Sequence, residues 1–279
     1  MLKFSRDVEY RDGDEFTLVS LFDIHYGAAA CAEDELARDL KKFGLKDKTF
    51  FIGGGDFGNN IKVRDRRFRF SELHPRYYGR DSYIEDVYDD LAAVIMKHTA
   101  PEQWLAVGDG NHEQHFIQEN STDPMKMFCE RIGYVNRGGY DYMVVLNFHQ
   151  TKKGGRGSGM KFVIYVNHGW GSAARTEGAA ITKYSRTIMY YYADMYLFGH
   201  THGLWAHPMV RIEPKVRGEG FKEKRVYVAE CGTYLKTFLE RKEPTYSEMK
   251  GYSPKVLGCA RFTLRPNRIR SVVEVESIV

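Results

Sequence analysis

Five short blocks carry side chains with the chemistry of metal ligands: Asp23-x-His25, Gly55-Asp56, Gly110-Asn111-His112-Glu113, His168, and Gly199-His200-x-His202. Carboxylate oxygen together with imidazole nitrogen suits Mn²⁺, Fe or Zn²⁺ better than Ca²⁺ or Mg²⁺, which favour shells of oxygen alone. Seven such residues (Asp23, His25, Asp56, Asn111, His168, His200 and His202) are more than one four-coordinate ion with an open position can use. They match two ions that share one carboxylate. Two ions ~3.5–4 Å apart form a clamp that activates a bridging water and stabilises the attacking and leaving oxygens of an in-line displacement at phosphorus.

Each block follows a strand-like run. Phe16 to Phe22 precedes Asp23, Thr49 to Ile52 precedes Asp56, Trp104 to Val107 precedes Asn111, Lys161 to Val166 precedes His168, and Met195 to Phe198 precedes His200. The carboxyl ends of strands line the ligand crevice of an open α/β sheet, so these side chains are expected to converge. Asp23 and His25, like His200 and His202, stand two apart and point the same way in extended backbone. Helical spacing is read over Glu33 to Phe43, Ser82 to Thr99 and Ala179 to Tyr192, with Tyr190-Tyr-Tyr192 expected to pack within the last. Further strands are expected at Tyr140 to Phe148, Val226 to Ala229, Ala260 to Leu264 and Ser271 to Val279. The alternation of strands and helices indicates a layered α/β architecture, and no linker or repeat divides the 279 residues, which read as a single domain.

Composition excludes disorder, with 43% hydrophobic and 28% charged residues, and no stretch approaches the ~18 apolar residues of a membrane helix. A net charge of +4 is too mild to name a partner. The four cysteines (Cys31, Cys129, Cys231, Cys259) form no C-x-x-C pair, and the amino terminus turns charged at once, so a reducing cytoplasm is the expected location.

In order, spacing and residue type the five blocks resemble the calcineurin-like metallophosphoesterases. The resemblance implies two packed mixed β-sheets flanked by helices, a four-layer α/β sandwich. It also implies a dinuclear site for two divalent ions, for which the oxygen and imidazole ligands favour Mn²⁺ and allow Fe, Zn²⁺ or others. Carried over position by position, Asp23, His25 and His202 would hold the first ion and Asn111, His168 and His200 the second, with Asp56 bridging. His112 would protonate the leaving oxygen or stabilise the charge that develops there. Phe-Gly-Asn-Asn60 follows Asp56 where the protein Ser/Thr phosphatase branch has Asp-Arg-Gly, so the diesterase and nuclease branches are the nearer comparison.

One segment favours a nucleic acid or nucleotide as substrate. Residues 61–80 carry Lys62, Arg64, Arg66, Arg67, Arg69, Arg76 and Arg80 against Asp65 and Glu72, interleaved with Phe68, Phe70, Tyr77 and Tyr78. Arginines beside aromatic rings suit phosphate backbones and unstacked bases. The alternative is a solvated loop whose arginines pair with acids such as Asp86, Asp89 and Asp90. Arg66, Arg67, Arg69 and Arg175 are the candidate substrate-binding residues. The loop over residues 241–258 reads either as a lid or as a connection to the last strands. The activity expected is phosphodiester hydrolysis by a metal-bridging hydroxide. The alternatives are a phosphomonoesterase acting on a small-molecule or protein phosphate, and a non-catalytic scaffold, which the complete ligand set disfavours. No membrane or protein partner is implied.

Overall fold

Alternation along the strands sends each residue to one of two faces, and the two faces bury different surfaces. The structure, a computed structural model, describes residues 1–61, 68–152, 155–171, 176–215, 218–267 and 272–278, with the side chains of residues 152, 155–158 and 177 excepted. In chain order its elements are β1 (Leu2–Tyr10), β2 (Phe16–Leu21), α1 (Glu33–Phe43), β3 (Thr49–Gly54), α2 (Tyr83–Met96), β4 (Trp104–Gly108), α3 (Asn111–Asn120), α4 (Pro124–Arg131), β5 (Arg137–Gly139), β6 (Asp141–Lys152), β7 (Gly155–Asn167), α5 (Glu177–Ser185), β8 (Met195–Phe198), β9 (Leu204–Pro214), β10 (Phe221–Thr233), α6 (Tyr246–Met249), β11 (Gly258–Cys259), β12 (Arg261–Asn267) and β13 (Val272–Ile278).

These strands make two mixed sheets. One runs β1-β6-β7-β8-β10-β11 with β9 also paired to β10, and the other runs β13-β12-β2-β3-β4-β5. Strands β2 to β5 are mutually parallel, as are β7, β8 and β10. Leu18 and Phe22 point into the space between the sheets, where they meet Ile164, Val166, Met195, Leu197 and Ala229. The intervening Val19 and Leu21 face the other way, against α1, α2 and α4. On the far sheet Tyr165, Tyr196, Phe198 and Val228 likewise turn outward towards α5. The result is helix, sheet, sheet, helix. Each fully buried aliphatic or aromatic side chain contributes roughly 1.5–3 kcal/mol, so both faces of both sheets are energetically committed.

Helix α1 is local chemistry made visible. Leu36 and Leu40 fall on one buried face, Glu33, Asp34 and Glu35 open the helix, and Lys41 and Lys42 close it, the charge order its dipole favours. The helix expected over Ala179 to Tyr192 stops instead at Ser185 and continues as a 3-10 turn over Arg186–Met189. Tyr190 and Tyr192 are exposed, and Tyr191 stacks on Tyr165 with ring centroids 4.5 Å apart. Consecutive tyrosines are weak helix formers, and the stacked ring is the better use of Tyr191. Strands β6 and β7 pair antiparallel out to Lys152 and Gly155. No helix among the described residues is long and apolar enough to cross a membrane, and all four cysteines are buried free thiols.

Candidate metal centre

The two sheets are stitched together where their parallel strands end. Past β2 and β3 the chain keeps pairing, with Asp23 N–H donating to Gly55 O, His25 N–H to Asp56 O and Tyr26 N–H to Phe57 O. The second sheet joins through His200 N–H to Asp23 Oδ2 at 2.8 Å, His168 Nδ1 to Gly54 O at 2.9 Å, and Tyr234 N–H to Asp23 O. Sequence positions some 180 residues apart are therefore fixed by hydrogen bonds between the candidate ligands themselves. Asp23, His25, Asp56, His200 and His202 all hold positive φ, between 48 and 72°. That conformation is uncommon outside glycine and gathers at functional turns. Gly110 and Gly199 are required by close approach, since a Cβ at the first would collide with Asp56 Oδ1 and at the second with Asp23 Oδ2.

All seven sequence-predicted ligands come together. His202 Nε2 lies 3.5 Å from Asp23 Oδ1, and His25 Nε2 lies 3.3 Å from His202 Nε2 and 3.9 Å from Asp23 Oδ1. On the other side, Asn111 Oδ1 is 3.0 Å from His168 Nε2 and 2.7 Å from His200 Nδ1. Asp56 stands between the groups, its Oδ2 3.3 Å from His168 Nε2 and 3.9 Å from His25 Nε2. The donor set is oxygen and imidazole nitrogen throughout, as a borderline divalent ion prefers.

Two features test whether a cation fits. Asp23 Oδ1 is buried with no hydrogen-bond partner among the described residues; imidazole nitrogens are what face it. A buried carboxylate oxygen left so is costly unless a cation satisfies it. The charge pattern agrees. Burial disfavours a charged His168, yet the Asp56 carboxylate outweighs it and lifts the imidazole to about 10, so positive charge is drawn into the space the ligands enclose. His25 goes the other way, pushed down to about 3 by burial and by the facing His112 ring, which leaves a neutral nitrogen. Burial and then the His168 charge lower His200 as well. His168 Nδ1 on the Gly54 carbonyl orients Nε2 into the site, the usual arrangement behind a ligating histidine.

His112 faces the same space. Its N–H donates to Asp56 Oδ1 at 2.9 Å, its Nδ1 is held by Asn59 O at 2.5 Å, and its ring lies edge-on to His25 with centroids 4.8 Å apart. A nitrogen of His112 comes within 4.8 Å of ligand atoms of His25 and Asp56, so it is near enough to serve the same chemistry. An open cleft of about 730 Å³ runs from these residues, walled on one side by Thr237 and by Thr245 to Lys255. The loop over residues 241–258 is thus part of the cleft wall.

Of the four candidate substrate arginines, Arg66, Arg67 and Arg175 lie outside the described residues. Arg69 is exposed and lines a small neighbouring crevice with Tyr26, Asn59 and Phe68 rather than the larger cleft beside the candidate ligands. Arg76 pairs with Glu33 and Arg80 with Asp86, the second being one of the acids expected to take the arginines of residues 61–80.

Two carboxylates that hold the site together were given no role from sequence. Glu113 is fully buried, and its Oε2 accepts the N–H of Asp56 and Gly110 at 2.8 Å each. Its Oε1 accepts from Phe57 N, Gly58 N, Asn60 Nδ2 and Tyr88 OH at 2.9–3.2 Å. Burial and the nearby Asp56 charge push this carboxyl up to about 7, against the pull of those donors. The sequence signal was present: Glu113 is three residues past Gly110, the capping-box position of α3. Glu230, on β10, accepts from Thr201 Oγ1, Gly203 N and Trp205 Nε1 and so fixes the turn bearing His200 and His202. Nothing local in the sequence marks it.

No protein-family model matches the chain, and a search of curated proteins returns no significant match. Among solved structures it is similar to the zinc complex of Vps29 from Entamoeba histolytica, at 12% identity over 94% of this chain and 98% of that one, with a TM-score of 0.36. It is also similar to a predicted phosphoesterase from Streptococcus pneumoniae, at 10% identity over 95% and 90% of the two chains, with a TM-score of 0.34. The functional reading rests on the chain's own geometry.

Proposed function

We propose that the protein is a divalent-metal-dependent phosphoesterase of the calcineurin-like type, acting on phosphodiester bonds. The observation that carries this is the position of Asp56, whose Oδ2 is shared between the His25 side and the His168 side of one candidate ligand set. Asp23, His25 and His202 would hold one ion, Asn111, His168 and His200 a second, and Asp56 both. Divalent ions held there would supply activation of water and neutralisation of charge on the oxygens of a phosphate ester. The remaining work falls to the chain. Asp23 Oδ2 and Asp56 Oδ1 are occupied by the backbone N–H groups of His200 and His112, which leaves their other oxygens to hold a cation. His112, held through Nδ1 by Asn59 O, keeps Nε2 for a proton delivered to the leaving oxygen.

Two experiments test the reading. Bis-p-nitrophenyl phosphate and p-nitrophenyl phosphate are compared with Mn²⁺ and with EDTA. Preference for the diester, abolished by chelator, is expected. Preference for the monoester makes a phosphomonoesterase the better reading, and metal content without turnover of either ester makes the protein a scaffold. His112→Ala is expected to retain the full metal content by elemental analysis while the rate falls on the order of 10²–10⁴-fold, the usual contribution of a positioned acid or base. Loss of metal in that variant would make His112 a ligand instead.

A further inference from the structure

We propose that the strap from Lys236 to Lys255 is a phosphate-binding wall, and that it engages a single-stranded oligonucleotide through phosphates beyond the one cleaved. The inference rests on the phosphodiesterase reading above and adds where a polymeric substrate would be gripped.

Lys236, Lys250 and Lys255 all line the cleft that opens from the candidate ligands. Among the described residues none of the three has an ion-pair partner, and Lys250 has only the ring of Tyr246, its Nζ 5.5 Å from the centroid. Among the described residues the carboxylates that line the cleft are Asp56 and Glu72, while Glu240, Glu243 and Glu248 of the strap do not line it; Glu72 is already in use, its Oε1 accepting Tyr246 N–H at 2.7 Å and lying 3.7 Å from Arg241.

The strap is fixed in place. Thr245 caps α6 in a reciprocal bond with Glu248, and its hydroxyl donates to Thr237 O. Arg241 reaches Ser71 O across the cleft edge. The polar groups that anchor the strap are thus distinct from the cations it presents. Two of the three described arginines of residues 61–80 show the contrast, since Arg76 is paired with Glu33 and Arg80 with Asp86.

Three separate lysines exceed what a single small phosphate requires. As point charges on flexible stems they suit a backbone followed without reading its sequence. Tyr246 and Tyr252 line the same cleft and supply ring faces on which bases can stack.

The test reads binding directly. A fluorescein-labelled dT10 is titrated with the whole chain in EDTA, by anisotropy, between 50 and 200 mM salt. For K236A/K250A/K255A the affinity at low salt is expected to fall at least about tenfold. The slope of log affinity against log salt is expected to shrink by about 2, at ~0.7 for each single-strand phosphate that is no longer neutralised. K236R/K250R/K255R is expected to keep both. K41A/K42A/K46A, which removes the same charge from exposed positions on and just after α1, is expected to bind as the parent does. Unchanged dT10 binding in the first variant overturns the proposal, as does an equal loss in the α1 variant. Displacement of dT10 by ATP as effectively as by unlabelled dT10 overturns the strand assignment in favour of free nucleotide. Because the readout needs neither metal nor turnover, its failure is separable from failure of the phosphoesterase reading.

Discussion

Asp56→Asn is expected to cut diester turnover on the order of 10³-fold or more, equivalent to about 4 kcal/mol of transition-state stabilisation. The amide is nearly isosteric and retains an oxygen for the His112 N–H, so the loop after β3 keeps its shape. What is lost is the charge that faces His25 on one side and His168 on the other. Metal content should fall from two ions per chain to one or fewer, measured by elemental analysis after dialysis, with far-UV circular dichroism unchanged. A variant that keeps two ions and parental turnover would remove Asp56 from the bridging role and with it the two-ion reading.

Glu113→Ala is expected to be the most destabilising single change at the site, by about 3–5 kcal/mol, although Glu113 itself touches no substrate. Four backbone N–H groups, the Asn60 amide and the Tyr88 hydroxyl converge on that one buried carboxylate, and alanine would leave them without an acceptor. Glu113→Gln, which keeps one acceptor oxygen, should fall between. Urea melts in EDTA measure the effect without a contribution from bound metal, and a loss below about 1 kcal/mol would show that water replaces the carboxylate adequately. Metal affinity should weaken in both variants, because the Asp56 N–H is one of the donors released.

The contrast between these two carboxylates shows what the sequence made legible. Asp56 announces itself by standing just past a short apolar run with glycines before it; an apolar run likewise precedes Asp23, His168 and His200, with a glycine next to His168 and His200. Glu113 lies beside Asn111 and His112 in sequence, but its importance comes from donors 50 or more residues away, which no local pattern displays. The core strands were readable because burial on both faces makes each a near-continuous apolar run. Strand β1 was not: Lys3, Arg6, Asp7 and Glu9 interrupt it, as an edge strand paired only to β6 allows. Strand β9 carries Pro208 and Pro214, tolerable because it pairs on one side only, with β10. The strap from Lys236 to Lys255 has little regular structure, so its place on the cleft is set by long-range bonds such as Glu72 to Tyr246 N–H.

The five candidate ligand residues with left-handed backbone bear on how such a chain can change. Each costs about 1 kcal/mol relative to a relaxed conformation, so together they rival the 5–15 kcal/mol by which a domain of this kind is stable. Glycine at any of them would relieve the backbone and delete a ligand in one step. In a library propagated for thermal survival alone, Asp23, His25, Asp56, His200 and His202 would therefore be among the first positions to drift, and the survivors would be sturdier and inert. On the phosphoesterase reading proposed above, robustness and turnover pull these five backbone angles in opposite directions.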